Sequence, residues 1–247
     1  MSEDTAIRVP DLAEGLPTIQ LTDVVRDYRV GSQVLRALDR VSLRMDSGQF
    51  SAIVGPSGAG KSTLLHLLGG LDSPTSGSIR FNGREISQLK DAEKSEFRRH
   101  SVGFVFQFFN LMPTMTAWEN VAVPKLLDGI KLSKAKPAAI AWLERVGLAH
   151  RAEHRPSELS GGEMQRVAVA RGLVMDPPLI LADEPTGNLD TQTGQSILDL
   201  FSEVAHDAGS RRAVVMVTHN RDAAHSTDRV IELKDGRLLS DTSTSTR

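Results

Sequence analysis

The 247-residue sequence has no cysteine. That excludes a disulfide framework, a thiolate nucleophile and any cysteine-based metal site. It also lacks an apolar run near the roughly 20 residues that cross a bilayer as a helix. Its first residues, Met1-Ser2-Glu3-Asp4-Thr5, are polar and acidic, with no signal-peptide core. A soluble cytoplasmic protein is the expectation. Neither sign of charge dominates, with 29 basic against 31 acidic residues, so electrostatics gives no reason to propose nucleic acid as a partner. The seven histidines show no paired spacing and read as ordinary polar residues rather than metal ligands. Aromatics make up only 4% of the chain, with one tyrosine, Tyr28. A chain of this length suits one α/β domain, with room for a subdomain and a sizeable core.

What the sequence does contain is a phosphate-binding pattern. Gly55-Pro56-Ser57-Gly58-Ala59-Gly60-Lys61-Ser62-Thr63 fits G-x-x-x-x-G-K-[ST], the Walker A or P-loop. The stretch before it, Gln49 to Val54, ends in an apolar run that reads as a buried strand, and Leu64 to Leu68 reads as a helix. Glycines let backbone N–H groups converge on an anion, and the helix N-terminus adds positive potential. Lys61 is expected to reach the β- and γ-phosphates and Ser62 to offer its hydroxyl to Mg²⁺.

Residues 1–17 carry Pro10, Gly15 and Pro17 and read as a loose tail. Thr18–Val25 and Val34–Met45 alternate like strands, with Tyr28 between them. Tyr28 is either an adenine-stacking face or a strand-edge aromatic. Ser78–Phe81 reads as a short strand, Asn82-Gly83 as a hairpin turn, and Asp91–His100 as a charged helix. Val102–Phe106 is an apolar strand leading into Gln107-Phe108-Phe109-Asn110. Phe104 and Phe106 read as sheet core, whereas Phe108 and Phe109 are open between core and a docking surface.

Thr116 and Glu119 form a capping box at a helix start, and Pro124 makes a break or kink plausible soon after. Ser133–Val146 is a second helix, stopped by Gly147. Its Pro137 is tolerable only near the first turn. Ser160 and Glu163 make another capping box for a helix running to about Met175. Gly161 and Gly162 fall in its first turn, where glycine costs up to ~1 kcal/mol each. They provide bare N–H groups for a second anion site, or simply a flexible helix start. Leu179–Ala182 is an apolar strand ending in Asp183 and Glu184, the Walker B arrangement. The Asp can hold Mg²⁺. The Glu, expected on the other face of the pleat, can polarise a water. Asp190 can cap a helix to about Ala208, and His219 follows the strand Val214–Val217, sharing the strand ends with Asp183 and Glu184. Arg229–Leu233, Asp235-Gly236 and Arg237–Leu239 form a last hairpin, before a Ser/Thr-rich tail, 240–247, expected to be disordered.

In this order the P-loop, Gln107, Leu159-Ser160-Gly161-Gly162-Glu163, Asp183-Glu184 and His219 resemble the ATP-binding subunit of an ABC transporter, over about residues 18–240. The Leu159–Glu163 signature is the most specific element. The resemblance implies a P-loop NTPase (RecA-like) core sheet with an N-terminal antiparallel β subdomain and a helical signature subdomain, at about residues 108–175 of a domain spanning 18–239. It implies ATP and Mg²⁺ as cofactors and Tyr28 as the adenine-stacking aromatic. Gln107 becomes the Q-loop glutamine near Mg²⁺, Glu184 the catalytic carboxylate, His219 the contact to the γ-phosphate, and Asn188-Leu189-Asp190 the D-loop.

In that family two subunits stack head to tail, so Ser160, Gly161 and Gly162 complete the site of a second copy. Ser62–Asp72, Arg155–Gly162 and Thr186–Asp190 look like the lipoprotein-releasing and macrolide-exporter type, as do Pro113, Thr116, Glu119, Asn120, Val121 and Pro124. Met164 and Lys125 depart from the usual pattern. The partners implied are an integral membrane permease subunit and a second copy of the chain, with no nucleic acid. The location implied is the cytoplasmic face of the inner membrane. A soluble, nucleotide-gated ABC clamp is the alternative. Such proteins carry two ABC units or a long coiled-coil or zinc insert, and this chain has one P-loop and no cysteine.

Overall fold

A computed structural model describes residues 18–207 and 212–244. The expected loose tail at 1–17 lies outside them. Two sheets and a helical layer organise the chain. Four antiparallel strands, β1 (Ile19–Val30), β2 (Gln33–Met45), β4 (Ser76–Phe81) and β5 (Arg84–Glu85), form one sheet in the order β2-β1-β4-β5. Six strands form the other, in the order β10-β9-β3-β8-β7-β6. They are β3 (Gln49–Val54), β6 (Val102–Val105), β7 (Leu179–Asp183), β8 (Ala213–Val217), β9 (Arg229–Lys234) and β10 (Arg237–Ser243). From β9 to β6 neighbours run parallel, and β10 pairs antiparallel with β9.

Helices cover both faces of the parallel sheet, so its strands are apolar throughout rather than alternating. Side chains of β3 enter two cores. Ile53 packs with α1 (Lys61–Leu68) beneath the antiparallel sheet, while Phe50, Ala52 and Val54 pack with α6 (Thr191–His206) on the opposite face. A third core joins α3 (Ala117–Leu127), α4 (Leu132–Arg145) and α5 (Gly161–Leu173).

Several boundaries differ from expectation for physical reasons. Tyr28 lies in β1, not between strands, because β1 continues to Val30 and pairs Tyr28 with Leu35. Pro124 does not break α3, which runs on to Leu127. The helix already buries Trp118, Val121 and Ala122 in the third core, and one missing donor does not undo that packing. Pro137 sits in the second turn of α4 rather than the first, while Ala135, Ala139 and Leu143 hold the helix to its neighbours. Residues 240–243 are strand rather than tail. Ser240, Asp241, Thr242 and Ser243 pair with Glu232, Ile231, Val230 and Arg229, and the Arg229 guanidinium grips Asp241. Residues 245–247 are outside the described set.

Candidate functional site

The P-loop leaves the carboxyl end of β3, the third strand of the six, and turns into α1. Gly60 takes φ +98°, and a Cβ there would fall 2.4 Å from the Ala37 carbonyl oxygen. Only glycine allows β2 to lie this close to the loop. On the other side Gly236, in the β9–β10 turn, donates its N–H to Ala59 O (3.1 Å) and accepts from Asp39 N (2.8 Å). The loop is thus held between the β2 strand and the last hairpin. Lys61 Nζ donates to the carbonyls of Gly55 (2.9 Å) and Pro56 (3.0 Å). An open cleft of about 280 Å³ runs beside it, lined by Tyr28, Leu35, Arg36, Ala37 and Gly58 to Thr63. The tyrosine and the phosphate loop, 27 residues apart at their nearest in sequence (28 and 55), therefore face one space.

Neighbouring parallel strands bring the carboxylates alongside. Asp183 ends β7, next to β8, which is next to β3. Burial, and then the Glu184 charge beside it, push the Asp183 carboxyl above its ordinary range, with the Ser62 hydroxyl bond, His66 and Lys61 acting the other way. Glu184 lies beyond the strand with φ +47°, so its direction is set by a left-handed turn and not by pleat alternation as expected. Its N–H donates to Val217 O at 2.9 Å. Its carboxylate accepts from the Thr218 hydroxyl (3.2 Å) and lies 2.8 Å from His219 Nδ1. His219 itself is 72% exposed, whereas the Glu184 side chain is 14% exposed. The histidine can therefore swing toward a ligand while the carboxylate stays fixed.

A raised Asp183 carboxyl destabilises the nucleotide-free fold once it ionises. The stability it retains when protonated is present below the ordinary carboxylate range and is lost as pH rises through its folded value. Asp183→Asn should therefore raise Tm at pH 7, because it removes a carboxyl that burial and Glu184 disfavour in its ionised form. The gain should be smaller at a second, acidic pH near the ordinary carboxylate value of about 4. Thermal unfolding at the two pH values checks this, and a lower Tm at pH 7 would contradict it.

Gln107 follows β6 and meets the 186–190 turn. Asn188 Nδ2 donates to Gln107 O (3.3 Å), and a Cβ placed on Gly187 would lie 3.8 Å from Gln107 Nε2. The signature stands apart. Ser160, Gly161 and Gly162 do not line the P-loop cleft. Ser160 caps α5, accepting from Glu163 N (3.3 Å), while Glu163 accepts from Ser160 N (2.8 Å) and from Arg151 Nε (3.1 Å). Ser160 is exposed. Asp190 also stands away, capping α6 through Thr193 N (2.9 Å) and lining a separate cleft with Thr186 and Asn220.

Phe104 and Phe106 are half-buried and stacked (centroids 5.3 Å apart), not fully core as expected. They line a groove of about 520 Å³ with Leu71, Arg98, Pro124, Leu127 and Arg171. Phe108 is 71% exposed and Phe109 half-buried.

Two supporting residues escaped the sequence reading. Gln165 is buried in α5, and its Nε2 donates to Pro185 O (2.9 Å), tying the signature helix to the turn after Glu184. A polar residue four positions before Val169, on the buried stripe of that helix, was the available signal. Arg171 donates to the carbonyls of Asn110 (2.6 Å) and Phe109 (2.8 Å), fixing the loop after Gln107. No local pattern announces that contact.

Residues 38–187 match the family model described as ABC transporter. A lipoprotein-releasing system ATP-binding protein LolD of Geobacter metallireducens is 48% identical over 223 residues, 90% of this chain and 98% of that protein. One from Xanthomonas campestris pv. campestris is 49% identical over 225 residues, 91% of this chain and 93% of that protein. Among solved structures, MJ0796, described as a bacterial ABC transporter cassette in dimeric form, superposes with a TM-score of 0.86 at 39% identity, covering 93% of this chain and all of that one. A second structure of MJ0796, a dimeric post-hydrolysis state bound to ADP and Pi, gives 0.85 at 38% identity with the same coverage.

Proposed function

The chain belongs to the ABC transporter family as an ATP-binding, ATP-hydrolysing subunit, and from that premise we propose that it powers lipoprotein release by a separate membrane subunit. The observation that carries the ATPase assignment is the placement of Lys61, Asp183, Glu184 and His219 at the carboxyl ends of the adjacent parallel strands β3, β7 and β8. Open α/β sheets bind ligands at that edge. Identity of 48–49% over nine-tenths of the chain to two lipoprotein-releasing system ATP-binding proteins supports the cargo class.

Lys61 and the amides of Gly58 to Thr63 hold the phosphates, and Tyr28 offers a face to the adenine. Asp183 and the Ser62 hydroxyl suit Mg²⁺, because a hard cation favours oxygen donors and Asp183 is a half-buried carboxylate crowded by a second one. When bound, Mg²⁺ would neutralise charge on the β- and γ-phosphates. Gln107 is adjacent through its contact with the 186–190 turn. Glu184 accepts a proton from water as the water oxygen attacks the γ-phosphorus and the bond to the ADP oxygen breaks. Thr218 fixes the carboxylate, and His219 turns from it to the γ-phosphate. Ser160, Gly161 and Gly162 present helix α5 to the nucleotide of a second copy, with Asp190 at the same interface. The described residues contain no helix long and apolar enough to cross a membrane. A membrane partner then supplies the span, docking at the groove around Phe106, Pro124 and Leu127 on the cytoplasmic face.

Purification of the tagged chain from detergent-solubilised membranes of its own host should recover a membrane subunit in stable proportion. Vesicles holding both should release a lipoprotein on addition of ATP. Recovery from the soluble fraction alone would contradict the transport reading. Export of a macrolide without lipoprotein release would move the cargo assignment.

A further inference from the structure

Tyr28 is braced from behind. The Arg26 guanidinium lies over the tyrosine ring, 4.5 Å from its centroid. Tyr28 Oη donates to Asp72 Oδ2 at 3.0 Å. Arg26 Nη2 closes the triangle on the same Asp72 oxygen at 2.8 Å. Arg26 and Asp72 are themselves only 23% and 26% exposed, so the contacts are partly shielded from water and salt. Neither lines the cleft that Tyr28 shares with the P-loop. The ring therefore borders the cleft while one of its faces is occupied by a cation that does not line it. Asp72 sits in the loop just after α1, the helix that starts at Lys61. Through Asp72 the position of the ring is tied to the element that carries the phosphate-binding residues.

We propose that Arg26 and Asp72 are positioning residues that lock Tyr28 as a one-sided stacking platform for the nucleotide base, at a fixed distance from the P-loop. This rests on the reading of Tyr28 as the base-stacking residue. A tyrosine near the end of a hairpin, beside the exposed Arg29 and Val30, has rotamer freedom that a stacked base must remove. Removing it in advance strengthens binding. The guanidinium also fills the rear face, so a base has one place to stack. The effect belongs to the base and not to the phosphates.

Arg26→Ala and Asp72→Asn should each raise KM for ATP about three- to tenfold, with the change falling in KM rather than kcat. The Ki of inorganic triphosphate, which has no base, should stay within twofold of the parent value. In a Tyr28→Ala background, which itself raises KM, Arg26→Ala should add nothing further. Arg26→Lys, which keeps the charge and the reach to Asp72, should recover part of the loss. The brace is overturned if Tyr28→Ala raises KM while neither Arg26→Ala nor Asp72→Asn does. It is also overturned if triphosphate weakens in step with ATP, or if the Arg26→Ala penalty persists without the tyrosine. Should Tyr28→Ala leave KM unchanged, the stacking reading fails and the brace with it.

Discussion

Glu184→Gln should reduce kcat for ATP hydrolysis by roughly 10²- to 10⁴-fold, the range for loss of a general base, while ATP still binds. The substitution is nearly isosteric. A glutamine oxygen can accept from Thr218, and its amide can donate to a neutral His219 Nδ1, so both contacts at 184 survive. The charge does not survive. Glu184 brings a second carboxylate beside Asp183, whose carboxyl is already displaced upward by burial and by that neighbour. A bound nucleotide would add negative phosphates to the same strand ends. Removing one charge relieves that crowding, so the variant should hold ATP at least as tightly as the parent. With hydrolysis blocked, it should accumulate as an ATP-bound dimer, seen as a shift to twice the mass on size exclusion when ATP and Mg²⁺ are present. Substantial turnover by Glu184→Gln would remove the catalytic assignment.

Much of this arrangement was legible because its parts are local. The strand–loop–helix of the P-loop, the capping boxes at Thr116 and Ser160 and the strand leading to Asp183-Glu184 are each written in a short consecutive stretch. The expected fold class, an α/β P-loop core with an antiparallel sheet and a helical region, matches what the solved relatives and the strand order display. What was misread depends on packing and backbone pairing that residue type does not report. Pro124 signals a break or kink to any local rule, and tertiary packing of α3 on α4 and α5 carries the helix past it without a break. Ser240 to Ser243 look like a polar tail because every one is exposed, and strand pairing with β9 is a backbone property that side-chain polarity does not report.

Positions in the site divide the same way. Lys61, Ser62, Asp183, Glu184 and His219 are proposed from the motifs, since phosphate and metal chemistry dictates those residue types. The residues that brace the surrounding turns and Tyr28 are not. Gln165, Arg171, Arg26 and Asp72 act through contacts 20, 61, 2 and 44 positions away respectively. Arg26 was reachable in principle, two residues before Tyr28 on a strand, but the bulges between Val24 and Asp27 make its side unpredictable from alternation. Glu184 shows the same limit within a motif, because a left-handed backbone and not the pleat orients it.

On the proposed reading the P-loop is half a site, completed by the signature of another copy. Ser160 is exposed at the N-cap of α5 and absent from the P-loop cleft of its own chain. Two disabling changes probe the two halves. Lys61→Ala removes the ammonium proposed to hold the phosphates. Ser160→Glu sets a carboxylate where an anion should dock, and a carboxylate is itself tolerated at a helix N-terminus. The decisive measurement is ATPase activity of two heterodimers, each isolated through different tags on its two copies. In the first, one copy carries Lys61→Ala and the other Ser160→Glu. In the second, one copy carries both changes and the other is unaltered. If sites form across the dimer, the first retains one intact site and hydrolyses ATP, and the second retains none and is inactive. The reverse, an inactive first heterodimer and an active second, would mean that each P-loop is completed by its own signature and would contradict the account.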